Sequence, residues 1–308
     1  MARTITVIGS INVDHILQIE HNPEPGETIK ANQISLAAGG KGANQAVASV
    51  RLGCNTNFIG AVGTDAESKF MLQELRRNGI NTAGITKMDY ETTGQAFVLV
   101  QEAGENSIIV NSGANAQLSP KMITANEHFI TNADFVLAQL ETPEKTTIKA
   151  FELAKEHGAS TLLNPSPASP LSAALLKLTD LVIMNEPEVK RITGIKETDP
   201  ASLTEMARFF HNQGVKVVII TLGERGSFSS NDGQEIAVPP VKAHEIDPTG
   251  AGDAYIGALV THVKRDYSNL AEALLYASHA SALAVQQLSA FPAMPTKEEV
   301  EASIARQQ

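Results

Sequence analysis

The residue types best suited to chemistry are concentrated in Asp247-Pro-Thr-Gly-Ala-Gly-Asp253, where Gly250, Ala251 and Gly252 precede an aspartate at the start of an amphipathic helix. Small residues let backbone N–H groups come close to an anion, and the helix dipole adds positive potential at the same end. A carboxylate beside a phosphate is repelled unless it has a task. The task that suits Asp253 is taking a proton from a hydroxyl that attacks a γ-phosphate. An ordinary N-terminal capping turn uses the same residues. The P-loop and the Gly-x-Gly-x-x-Gly dinucleotide fingerprint are both excluded, the latter because Tyr255 stands where its last glycine belongs.

A second glycine cluster, Gly39-Gly40-Lys41-Gly42-Ala43-Asn44, opens the first strong helix. It suits a tight turn or a binding loop, with Lys41 exposed above the helix and Asn44 able to bond a hydroxyl. Asn12-Val13-Asp14 follows the first strand, and Glu141 follows the strand that ends at Leu140. Polar residues at the carboxyl ends of parallel strands line the ligand crevice of open α/β sheets, although each alone is equally a solvated loop residue or a cap. Asn185-Glu-Pro-Glu188 follows another strand and suits either a hydrated Mg²⁺ with phosphate oxygens or a helix start with Pro and Glu in its first turn. Thr221-Leu-Gly223-Glu-Arg-Gly226 reads as a turn into a hairpin. The eight histidines have no metal-ligand spacing, so zinc chemistry is unsupported.

These residues need a scaffold, and a chain of 308 residues that is 43% hydrophobic is long enough to bury one. Short β-branched runs at Ile5 to Gly9, Phe135 to Leu140, Thr161 to Asn164, Leu181 to Asn185 and Val217 to Leu222 alternate with helical stretches. This predicts a doubly wound, mostly parallel sheet with helices on both faces. Helices are expected over Gln45 to Leu52, Ala66 to Asn78 and Pro143 to His157, each stopped at or beside a glycine. Val13 to Leu36 and Thr93 to Asn111 alternate polar and apolar residues around Pro-Gly and Ala-Gly-Glu-Asn turn signals, which predicts a small second sheet beside the main one. A hairpin around Asn231-Asp232-Gly233 precedes the glycine turn, and long helices follow it.

A net charge of -10 and an isoelectric point near 5.3 exclude nucleic acid and anionic membrane as natural partners. The single cysteine, Cys54, excludes an intrachain disulfide and a thiolate metal cluster, fits a reducing compartment, and reads as a buried, inert side chain. The N-terminus reads as a strand rather than a signal peptide, and no apolar run approaches the roughly 20 residues of a membrane span. A soluble cytoplasmic protein is expected.

Taken together and in order, Gly9-Ser-Ile-Asn12-Val-Asp14, Pro25-Gly-Glu27, Gly39-Gly-Lys-Gly-Ala-Asn-Gln-Ala46, Gln139-Leu-Glu141, Asn164-Pro-Ser-Pro167, Asn185-Glu-Pro-Glu188, Thr221-Leu-Gly223 and Gly250-Ala-Gly-Asp253 closely resemble the ribokinase family of carbohydrate kinases. The resemblance spans nearly the whole chain. It implies one α/β kinase domain over residues 1–308, with a discontinuous β-lid from about 13–36 and 93–111 that also makes a homodimer contact. It implies ATP-dependent phosphorylation of D-ribose at O5. The alternatives are the same chemistry on 2-deoxyribose or another small sugar, or a non-catalytic sugar-binding regulator. By position, Asn12, Asp14, Gly40, Lys41, Gly42, Asn44, Glu141 and Asp253 would hold the sugar, with Asp253 as base and Gly250, Ala251 and Gly252 as the anion hole. Asn185, Thr221, Gly223, Gly226, Gly252 and Ser278 would line the nucleotide, and Glu188 would help organise Mg²⁺. Asp247, Thr249, Ala284, Gln287 and Ser289 would bind a monovalent cation, K⁺. The chain departs from the family at Pro248, at Ser278 where Asn or His often stands, at Ser289-Ala-Phe291 in place of Gly-Ala-Gln, and at Ala293 in place of a serine.

Overall fold

The computed structural model describes residues 2–101 and 106–306 of the chain. The Ala-Gly-Glu part of the second turn signal expected for the small sheet, at 103–105, lies outside the described residues. In chain order the strands are β1 (Thr4–Ile8), β2 (Asn12–Ile19), β3 (Gln33–Gly39), β4 (Asn55–Val62), β5 (Asn81–Lys87), β6 (Gly94–Gln101), β7 (Asn106–Asn111), β8 (Phe135–Gln139), β9 (Ser160–Asn164), β10 (Leu181–Asn185), β11 (Val217–Thr221), β12 (Ser227–Asn231) and β13 (Gln234–Val238). Nine of them form one sheet in the order β13-β12-β11-β10-β9-β8-β1-β4-β5. It is parallel from β11 to β5, and the hairpin β12-β13 adds an antiparallel edge.

The helices are α1 (Lys41–Arg51), α2 (Ala66–Arg77), α3 (Pro120–Ala125), α4 (Glu127–Thr131), α5 (Glu144–Glu156), α6 (Ala173–Lys177), α7 (Glu186–Thr193), α8 (Pro200–His211), α9 (Ala251–His262), α10 (Leu270–Ala284), α11 (Ala290–Ala293) and α12 (Lys297–Ala305). One core unites α1, α9 and α10 with β1 and β8 through Val7, Ala46, Val47, Phe135, Leu137, Leu259 and Leu274. On the opposite face Ile8, Val136, Ala138, Phe151 and Leu163 form a second, and α8 covers Val182, Val218 and Ile220 in a third. Covered on both faces, β8 and β9 are buried at every position, and β8 reads as an apolar run up to Gln139. Asn55, Asn57 and Gly60 interrupt β4, and Asn81 and Gly84 interrupt β5. Neither strand carries a clear sequence signal, and pairing beside β1 defines them.

The second sheet has the order β3-β2-β6-β7. The register puts Ile34, Leu36, His15, Leu17, Phe97, Leu99 and Ile109 on one face, where the rings of His15 and Phe97 stack with centroids 4.9 Å apart. Ile34, Leu36 and Ile109 are exposed, so part of this apolar face is open. No helix among the described residues is long and apolar enough to cross a membrane.

Asp180 ties the amino ends of three sheet strands together. It accepts from Lys155 Nζ at 2.6 Å and from Thr161 N at 3.1 Å, and Lys216 Nζ lies 3.1 Å away. Burial alone would raise its proton affinity, but hydrogen bonds from Lys155, Thr161 and Lys216 outweigh that and hold the carboxyl below its usual range. The depressed native value gives stability that is complete above the ordinary aspartate range near about 3.9 and is lost as pH falls through the native value. Asp180→Asn should therefore lower unfolding stability by about 1–3 kcal/mol at neutral pH. In urea titrations the gap to wild type should close as the pH is lowered below that range.

Candidate functional site

The strand order reverses between β1 and β8, because the chain builds outward to β4 and β5 on one side and to β9, β10 and β11 on the other. A crevice forms at the carboxyl edge of such a switch point. Two helices begin there. The first, α1, follows Gly40 at φ 94°, where a Cβ would come within 2.8 Å of Asn12 N and 2.9 Å of Ser10 O, so only glycine fits. The amide of Lys41 donates to Glu141 Oε2 at 3.2 Å, and the Ser10 hydroxyl donates to the same oxygen. The second, α9, follows Gly250 at φ 81°. The helices cross so closely that a Cβ on Gly257 would lie 2.3 Å from Ala48 Cβ. That crossing brings Asn44 Nδ2 to 2.9 Å from Asp253 Oδ2 and Gln45 Nε2 to 2.8 Å from Oδ1.

The charges in this space are coupled. Burial is the main cause that lifts Asp253 above the usual carboxylate range; Lys41, Asn44 and Gln45 oppose it, and Glu141 reinforces it. Asp14 is pushed up to about 7 by burial and then by Glu141 and Asp253. Burial would lower Lys41, but the fields of Asp253, Glu141 and Glu188 prevail and keep its ammonium charged. A buried carboxylate with raised proton affinity beside a fixed cation is equipped to remove a proton near neutral pH.

The residues expected to hold a sugar therefore converge: Gly40, Lys41, Gly42 and Asn44 at the start of α1, Glu141 after β8, Asp253 in the first turn of α9, and Asn12 and Asp14 on β2. Asn12 is buried, and its Oδ1 accepts from Asn115 Nδ2 at 2.8 Å. Asn115 also accepts from Ile11 N at 3.0 Å, so a residue that no motif singled out fixes Asn12.

On the nucleotide side, Asn185 and Thr221 are partners in the β10-β11 register. Asn185 and Glu188 form a reciprocal capping box, with Asn185 Oδ1 accepting from Glu188 N at 2.8 Å and Glu188 Oε2 from Asn185 N at 2.9 Å. The helix-start reading of this motif is thus realised, while the Glu188 charge still reaches Lys41. Gly223 begins a short 3-10 turn that Gly226 ends. The Ser278 hydroxyl donates to Leu274 O within α10 at 2.9 Å.

The turn before α9 differs from expectation in one respect. The Ala251 amide donates to Pro248 O at 3.1 Å and is not available to an anion. The amides of Gly252 and Asp253 have no acceptor among the described residues, and a Cβ on Gly252 would meet nothing within 4 Å. Asp247 joins this turn to the loop after α10, accepting from Thr249 N and Ser289 N, both at 2.9 Å. Asp247, Thr249 and Ser289 are thereby brought together, Ser289 at φ 70°. Ala284 O accepts from Gln287 N at 3.2 Å, and Gln287 is exposed.

Behind Asp253 lie three buried amides to which the sequence reading assigned no role, Gln45, Gln139 and Asn164. A signal was present for one of them: Gln139 is the polar end of an otherwise apolar strand.

Residues 2–297 match the pfkB family of carbohydrate kinases. A bifunctional ribokinase/ribose-5-phosphate isomerase A of Fructilactobacillus sanfranciscensis is 43% identical over 97% of this chain, which spans only 55% of that relative's length. A ribokinase of Staphylococcus aureus is 41% identical over 97% of this chain and 99% of its own. Among solved structures, the Arabidopsis thaliana ribokinase complexed with ribose and ATP superposes with a TM-score of 0.93 at 33% identity, covering 99% of both chains. The chain belongs to the pfkB family of carbohydrate kinases and is a sugar kinase.

Proposed function

We propose that the chain transfers the γ-phosphate of ATP to O5 of D-ribose, giving ADP and D-ribose 5-phosphate, with Asp253 as general base. The observation that carries this reading is Asp253 itself: a buried carboxylate at a helix N-terminus, beside two unengaged amides and held by Asn44 and Gln45. The O5 proton passes to Asp253 as the O5–P bond forms and the bond from the γ-phosphorus to the bridging oxygen breaks, its electron pair leaving on ADP. The Gly252 and Asp253 amides stabilise charge on the transferred phosphoryl group. Asn12, Asp14, Lys41, Asn44 and Glu141 hold the ring hydroxyls against Gly40 and Gly42. ATP lies on the β10 and β11 side, along Asn185, Thr221, Gly223, Gly226 and Ser278. The plant relative's two ligands support both substrates.

Glu188 suits Mg²⁺, which takes one or two carboxylates together with phosphate oxygens and would neutralise phosphate charge. For K⁺, Thr249 and Ser289 have carbonyls that accept no hydrogen bond among the described residues, beside the Asp247 carboxylate. Carbonyl-rich cages suit this large, weakly hydrated cation. Asn12 and Asp14 lie on β2, which makes the small sheet a lid over the sugar, and its open apolar face at Ile34, Leu36 and Ile109 supports a homodimer through that lid. A cytoplasmic location is in keeping with Cys54, whose thiol burial pushes up to about 11.

ADP release over a panel of sugars tests the assignment. Ribose should exceed 2-deoxyribose in kcat/KM by about ten- to a hundredfold, because the deoxy sugar leaves a buried polar group unpaired. Equal values would remove the ribose assignment, and no ADP with any sugar would favour a binding protein. Asp253→Asn should lose about 10² to 10⁴ in kcat while still binding ribose in calorimetry; near-normal turnover would exclude the base role. Replacing K⁺ with a bulky organic cation at fixed ionic strength should lower kcat more than it raises either KM. An unchanged kcat would leave Asp247 as a capping residue alone.

A further inference from the structure

We infer that Gln45 is a positioning residue for the reaction, held in a single orientation by Gln139 and Asn164 so that its side-chain N–H always faces Asp253. The inference rests on the reading of Asp253 as the base. Gln45 and Gln139 are fully buried and Asn164 is 6% exposed, so the three amides form an internal chain. A carboxylate only accepts, so Gln45 must turn Nε2 to Asp253 Oδ1, 2.8 Å away. The second hydrogen of that nitrogen goes to Asn164 Oδ1 at 3.2 Å. Asn164 is itself fixed, because its Nδ2 donates to the backbone carbonyl of Ile183 at 3.0 Å. Gln45 Oε1 then faces β8 and accepts from Gln139 Nε2 at 2.6 Å.

The polarity set at the carboxylate thus runs outward through every amide, and it ends unsatisfied. Gln139 Oε1 is buried with no hydrogen-bond donor. Such an atom is costly to bury and calls for an explanation. Turning Gln139 alone would set its oxygen against Gln45 Oε1, and turning both would set an oxygen against Asp253. The unsatisfied atom is where the chain accommodates an orientation demanded at its other end.

The consequence for the reaction is twofold. Asn44 and Gln45 each donate to a different oxygen of Asp253, which fixes the plane of the carboxylate and leaves its remaining lone pairs for the sugar hydroxyl. Both bonds favour the ionised form and so moderate the rise in proton affinity that burial imposes. Gln45, having no exposed surface, does this without touching substrate.

The test compares Gln45→Met, Gln139→Glu and Gln139→Met by steady-state kinetics against pH. Gln45→Met keeps the side-chain length but removes the donor. Its kcat should fall by about ten- to a hundredfold, the scale of a misaimed reacting group, with ribose KM changed by less than about threefold. The acidic limb of its kcat/KM profile should move to higher pH, because Asp253 has lost a donor to its charged form. Protonated, as burial favours, a Glu at 139 donates to Gln45 Oε1 and keeps the wild-type orientation; ionised, at the alkaline end of the profile, it only accepts, so it draws Gln45 Nε2 away and turns an oxygen on Asp253. Gln139→Met adds no acceptor and leaves Asp253 and Asn164 to orient Gln45. The Glu variant should therefore fall at least about tenfold below the Met variant in kcat at the alkaline end of the profile and recover as the pH is lowered. A Glu-to-Met ratio of kcat that stays the same across the whole pH profile, or an unmoved acidic limb in Gln45→Met, would overturn the inference, and either comparison decides if the other protein does not fold. Asp253→Asn separates the two readings. Full turnover in that variant removes the base itself, whereas an inactive Asp253→Asn with an unaffected Gln45→Met keeps the base and removes only the positioning role.

Discussion

Asp14, Glu141 and Asp253 lie close enough for Glu141 and Asp253 to act on Asp14, Lys41 feels the fields of Asp253, Glu141 and Glu188, and most of the architecture serves to make that arrangement tolerable. Like charges repel strongly in a low-dielectric space, and a buried carboxylate left alone takes up a proton. Here the opposing contributions are local and identifiable. The first amide of α1 and the Ser10 hydroxyl donate to Glu141. Asn44 and Gln45 donate to Asp253, which also sits in the first turn of α9, where the helix dipole favours negative charge. Asp14 has burial and two anionic neighbours acting on it, which push it up to about 7.

None of this holds unless the two helix starts are fixed relative to each other. The contact that fixes them is in the apolar core. At the crossing of α1 and α9, the absence of a side chain on Gly257 lets Ala48 approach. The remaining turns of both helices pack against β1 and β8 in the same cluster, so the donor and acceptor sides of the Asp253 hydrogen bonds are carried on one rigid body. Asp14 stands on a different support. It is part of the small sheet, which joins the large one through the backbone after Ile11 and through Asp65. That carboxylate accepts from Thr93 N and Oγ1, both at 2.6 Å, just before β6. The candidate site thus has one wall on the two helix starts and another on the small sheet, which is tied on by these polar bonds and by Val13 and Ala38 in the same apolar core.

Much of the scaffold was legible from local pattern. The runs that form β8, β10 and β11 are apolar up to a polar last residue, β1 and β9 mix Thr or Ser with Ile, Val or Leu, and α1, α2 and α5 stop where glycine makes stopping cheap. The strand-end rule marked Asn12, Asp14 and Glu141, and small residues before a helix marked Asp253. Local pattern could not reveal β4 and β5, whose asparagines and glycines are compensated by pairing beside β1. Nor could it decide between two uses of one motif. Asn185 and Glu188 prove to cap α7, and Ala251 spends its amide on Pro248.

Sequence alone therefore determined which groups are available, since residue type sets donor, acceptor and charge, and periodicity sets which face an element buries. Tertiary structure alone decided which groups meet. Gln45 bonds Asp253 across 208 positions of chain and Gln139 across 94. An amide that donates to a carboxylate must accept elsewhere, and where it does so depends on which strand packs behind it, a choice that the nine-stranded order makes and no local window contains.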